Sequence, residues 1–136
     1  DTAMDLSGAE PALYGTYNSV YPDYNIAMSM ICTIDLETAT IGDYLQVTGL
    51  PRMHIIYAIA FDKDGTMYAI GADAGDDGGP ATLYTIDLDN VQTGTFGSQV
   101  QAKEVGAIKS GSYTVSTNWI QDLAFDHATG TLLGGE

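Results

Sequence analysis

Apolar residues along this chain come in short runs separated by Gly, Asp, Asn and Thr, and no window keeps the spacing of an amphipathic helix. β-branched and aromatic residues dominate the runs. That predicts strands over residues 12–17, 27–36, 44–48, 55–61, 66–71, 82–88, 104–108, 119–125 and 131–134. The turns have their own chemistry. Asp62-Lys63-Asp64-Gly65 joins two of the strands, with glycine supplying the positive φ that a tight hairpin with a bulge requires. Asp126-His127-Ala128-Thr129-Gly130 joins the last two.

The runs also recur. Ile31-Cys32-Thr33-Ile34-Asp35-Leu36 returns as Leu83-Tyr84-Thr85-Ile86-Asp87-Leu88, an offset of 52 residues. Ile59-Ala60-Phe61-Asp62 returns as Leu123-Ala124-Phe125-Asp126, an offset of 64. Periods of roughly 50–65 residues point to propeller blades or related arrays. With the strands of one unit lettered a to d from the inside outward, the expected order is b-c-d over residues 1–53. Strands a-b-c-d follow over 54–115, and a-b over 116–136. The expected fold is therefore all-β, a partial β-propeller of four-stranded antiparallel blades. Apolar residues in a and b suit a sheet covered on both faces, and the more polar d strands suit an outer rim.

The succession Ala60-Phe61-Asp62, the turn glycine Gly65, Met67-Tyr68-Ala69 and then Leu83 to Leu88 resembles the repeats of secreted bacterial β-propellers. The resemblance covers most of residues 54–136 and, more loosely, 12–50. It implies an extracellular or cell-surface setting, often beside immunoglobulin-like or anchoring domains, and says little about chemistry. Two departures matter. Glu37-Thr38-Ala39-Thr40 stands where a Thr-Gly turn is expected, and the chain ends at Gly134-Gly135-Glu136, within a blade. Too few units to shut a ring predicts bare apolar faces and free strand edges at both ends. The expected partners are accordingly other copies of the chain or the remainder of a longer parent. Because it opens at Asp1 with no leader, the chain is expected to be a processed or trimmed form.

Charge narrows the partners further. Eighteen acidic residues against four basic ones give a net charge of −14, which opposes phosphate backbones and anionic lipid, so nucleic acid is not an expected partner. No apolar run is long enough for a membrane-spanning helix, and membrane insertion is not expected. The single cysteine, Cys32, lies in a strand-like run and should pack as a small hydrophobe.

Candidate chemistry is sparse. The loop Gly71-Ala72-Asp73-Ala74-Gly75-Asp76-Asp77-Gly78-Gly79-Pro80 places Asp73, Asp76 and Asp77 on flexible backbone that could wrap calcium, the one candidate cofactor. The competing reading is a solvated turn. Asp62-x-Asp64-Gly65 also opens like a calcium loop, but Asp and Gly belong at a hairpin turn in any case. Asp35, Asp62, Asp87 and Asp126 recur at equivalent positions, as strand-end hydrogen bonders would. His54 and His127 have no partners at the spacing of a triad or a zinc site, and no catalytic residue is identified. Tyr14, Tyr17, Tyr21 and Tyr24 cluster around Asn18 and Asn25, the mixture a carbohydrate- or peptide-binding surface uses, with Trp119 as a further stacking candidate. Ordinary packing is the alternative for all five. The expected function is a non-catalytic extracellular binding or scaffolding module that presents inter-strand loops to a ligand. The alternatives are a fragment of a carbohydrate-acting propeller enzyme or a structural spacer.

Overall fold

The computed structural model describes residues 1–75, 79–116 and 122–135. Among these the chain is all-β, with one 3-10 turn at Pro22–Tyr24 and no α-helix. Eight strands share a sheet: β1 (Thr2–Asp5), β2 (Ala12–Tyr21), β3 (Ile26–Ile34), β4 (Ile41–Thr48), β5 (His54–Phe61), β6 (Met67–Asp73), β7 (Thr82–Gly94) and β8 (Gly97–Ala107). Their order is β1-β2-β3-β4-β8-β7-β6-β5. β9 (Lys109–Ser110) and β10 (Tyr113–Thr114) make a small hairpin, and β11 (Asp122–Asp126) and β12 (Thr131–Gly135) a larger one.

Each half of the sheet is an antiparallel run of four strands, β1–β4 and β5–β8. The recurrence alone predicts that such runs stand apart. Instead they are joined by one parallel pair, β4 with β8, through Gln46↔Gln99, Val47↔Val100 and Thr48↔Gln101. The cause lies in strand length. β7 continues past a bulge between Asp87 and Gln92 as far as Gly94, and β8 begins at Gly97, several residues before the run predicted from residue 104. That extra length reaches β4.

Residues 1–53 hold four strands where the pattern predicts three. The addition is β1, whose Ala3-Met4-Asp5 is a degenerate form of Ala60-Phe61-Asp62 and Ala124-Phe125-Asp126. The pairing makes the equivalence explicit: Met4↔Leu13, Phe61↔Met67 and Phe125↔Leu132 occupy the same register. Methionine in place of phenylalanine, in a strand of only four residues, hid it.

The sheet curls so that its inner face makes one core. Ile31, Val47, Ile56, Ile59, Phe61, Met67, Ala69, Tyr84, Ile86, Val100 and Ala102 meet there, with Ala3 and Tyr14 packed on them. A register shift between Ile56 and Ala58 lets Ile56 and Ile59 both face inward, which strict alternation would forbid. The opposite face of β5 and β6 is also covered. Ala58, Ala60 and Ile70 pack with Ala81 and with Leu123 and Leu132 of the β11–β12 hairpin. One contact occurs twice in this arrangement. Tyr14 of β2 lies on Phe61 of β5, with ring centroids 5.1 Å apart, and Tyr68 of β6 lies on Phe125 of β11, at 6.5 Å.

The curl also covers part of one edge of the sheet. β5 is an edge strand of the sheet, yet part of its outer backbone is taken by side chains from the first half. Ser29 Oγ accepts from the Ile56 amide at 2.8 Å, and Asn18 Nδ2 donates to the Ile56 carbonyl at 2.8 Å. Ser29 Oγ in turn donates to Asn18 Oδ1 at 2.6 Å, while an Asp1 carboxylate oxygen accepts from the Ile59 amide at 2.8 Å.

Candidate functional site

Strand alternation separates the four tyrosines. Tyr14 faces inward onto Phe61, half-buried, and burial first and Asp5 second push its hydroxyl pKa upward. It is a packing residue. Tyr17 and Tyr21 project from the other face of β2, opposite Met30 and Ile26, at 58% and 48% exposure. Tyr24 lies on the 3-10 turn that Pro22 begins and is 73% exposed. Asn25 closes that turn in the left-handed region, φ 51°, donating its amide to the Pro22 carbonyl at 3.0 Å. Arg52 Nε donates to the Asn25 carbonyl at 3.0 Å, tying the tip to the loop before β5. A cleft of about 260 Å³ begins at Asn25, runs between β3 and β4, and ends at Arg52 and His54. Tyr21, Tyr24 and Asn25 thus form an aromatic and amide tip beside a shallow cleft.

The metal candidates are placed only in part. Asp73 ends β6, and its carboxylate accepts from the Gly75 amide at 2.7 Å, as in an ordinary turn. Asp76, Asp77 and Trp119 lie outside the described residues. Among the described residues no three His, Cys, Asp or Glu side chains converge in a way that could hold a metal ion.

The recurring aspartates have a plain structural use. Asp62 accepts from the amides of Asp64 and Thr66, both at 2.9 Å. Asp87 accepts from Asp89 at 3.2 Å and Asp126 from Ala128 at 2.9 Å. Asp35 accepts from Glu37 and Thr38 at 2.9 and 2.8 Å. Asp5, in the degenerate first copy, accepts from Ser7 at 2.9 Å. Thr38's backbone and hydroxyl hydrogen bonds, with the Glu37 amide, lower the Asp35 pKa; the Thr129 hydroxyl, then the Ala128 amide, lower that of Asp126.

The sequence reading missed the apolar face on which Tyr17 stands. Met4, Leu13, Gly15, Tyr17, Met28, Met30, Cys32, Ile34 and Tyr44 all point outward from β1–β4 by register; Met4, Tyr17 and Tyr44 are exposed there, whereas Gly15 and Cys32 are buried. Gly15 gives this face its local relief, because a Cβ there would stand 3.2 Å from Ile34 Cδ1. A signal was available. Ile26-Ala27-Met28-Ser29-Met30-Ile31-Cys32 is apolar at odd and even positions alike, which marks a strand apolar on both faces. Comparison with protein-family models, curated proteins and solved structures finds no match for this chain.

Proposed function

We propose that β1–β4 and β5–β8 are successive four-stranded blades of a partial propeller, and that the chain works as a non-catalytic binding or scaffolding module, secreted or on a bacterial surface. The observation that carries the binding reading is the tip formed by Tyr21, Tyr24 and Asn25 beside the cleft that ends at Arg52 and His54. Tyrosine gives a stacking face and a hydroxyl on a rigid stem, and the asparagine side chain gives both a donor and an acceptor. A net charge of −14 disfavours an anionic ligand, so a neutral glycan or a peptide without excess acid fits best. The engagement of the recurring aspartates in turn hydrogen bonds supports binding over carboxylate catalysis.

A glycan and peptide array tests the reading. Binding that falls at least about tenfold in Tyr24→Ala supports it, since exposed aromatic anchors dominate such contacts. Chain scission of a polysaccharide by the purified protein would favour the enzyme alternative, and no binding at all would favour the spacer. Calcium bound by Asp73, Asp76 and Asp77 is a separate proposal. A melting temperature unmoved by calcium titration removes it.

A further inference from the structure

We infer that the outward apolar face of β1–β4, where Met4, Tyr17 and Tyr44 are exposed, receives the β11–β12 hairpin of a second copy of this chain, head to tail. The inference extends the blade reading proposed above and rests on it. Three successive units present the same pair of positions to each other. In the first, Tyr14 packs on Phe61 of the second; in the second, Tyr68 packs on Phe125 of the hairpin. Register identifies the next donor in the series. Tyr14 pairs with Ala3, Tyr68 with Ala60, and Leu133 with Ala124. Leu133 therefore holds the place of the two tyrosines on the hairpin, and it is 51% exposed.

Register also identifies the receiver. Met4 occupies in β1 the place that Phe61 and Phe125 occupy in β5 and β11, and it is 38% exposed. The surroundings agree. Leu13↔Ile34 and Gly15↔Cys32 in the first unit correspond to Met67↔Ile86 and Ala69↔Tyr84 in the second. The second set is buried in the core shared with the first unit, whereas in the first set Gly15 and Cys32 are buried and Leu13 and Ile34 only half-buried. The β11–β12 hairpin thus carries the giving half of a contact already made twice, and β1 the receiving half. Two different patches on one chain make a heterologous contact, which closes into a ring or extends, according to the rotation per copy.

Sedimentation over a concentration series tests this with the native chain and three variants. The native chain is expected to self-associate. Leu133→Asp on the hairpin and Met4→Asp on the receiving face are each expected to weaken association at least about tenfold. Tyr17→Glu, on the same face at 58% exposure, guards against a fold defect in β1 and is expected to do likewise. Mixing Leu133→Asp with Tyr17→Glu is expected to restore a one-to-one pair, because each keeps the half that the other lacks. A native chain that stays monomeric throughout overturns the inference. So does association that survives these substitutions, or a mixture that fails to pair. Array binding through Tyr24, scored on the same proteins, reports separately on the ligand-binding function.

Discussion

Ala39 holds a left-handed backbone, φ 57°, in the loop from Asp35 to Thr40. The loop from Asp126 to Thr131 has the same hydrogen bonds, the fifth residue's amide donating to the aspartate carbonyl, at 2.9 and 2.8 Å, but has Gly130 at φ 73°. A Cβ in that region is strained, so Ala39→Gly is expected to stabilise the fold by about 0.5–1 kcal/mol after glycine's entropic cost, read by urea denaturation. The absent Thr-Gly turn was visible in the sequence; its survival with alanine was not, because turn geometry here is enforced by Asp35 and Thr38 as well. Gly71 is a different case. A Cβ there would meet Tyr84 at 3.0 Å and the Ile55 carbonyl at 3.2 Å, so Gly71→Val is expected to cost about 1–3 kcal/mol through overpacking. The two depressed aspartates also set a pH dependence. Because their folded pKa values lie below the unfolded ones, their contribution is complete above the ordinary aspartate range and fades as pH falls through the folded values. Asp35→Asn with Asp126→Asn is therefore expected to lower stability at neutral pH and to flatten the acid limb of a melting-temperature profile.

At the scale of elements, the link between β5 and the first half depends on Ser29, which is 1% exposed and bonds both Asn18 and the Ile56 amide. Ser29→Ala leaves a buried amide without its acceptor and is expected to cost about 1–3 kcal/mol in denaturant unfolding. Nothing in the strand pattern announces this link. Asn18 and Ser29 are 11 residues apart, and each reaches β5 only because the sheet curls. What the pattern did reveal was local. β5, β6 and the first part of β7 follow from their β-rich runs, and the Asp-Gly turn from its residue types, because strand and turn chemistry act over a few residues. The β4–β8 pairing and the division of the tyrosines between two faces depend on strand length and register, which the runs leave open. Tyr14 and Tyr17 read alike in sequence but differ by an odd number of positions, so one is core and the other surface.

For the whole molecule, one kind of contact recurs: a tyrosine of β2 or β6 lies on a phenylalanine of β5 or β11. The Tyr14–Phe61 contact joins the two halves of the sheet, and the Tyr68–Phe125 contact joins the second half to the β11–β12 hairpin. The most direct test is a nuclear Overhauser spectrum with the tyrosine and phenylalanine rings assigned. Cross-peaks joining the rings of Tyr14 to Phe61 and of Tyr68 to Phe125 are the predicted result. A spectrum in which Tyr68 sees no proton of Phe125, with the β11–β12 hairpin seated elsewhere, would contradict the account.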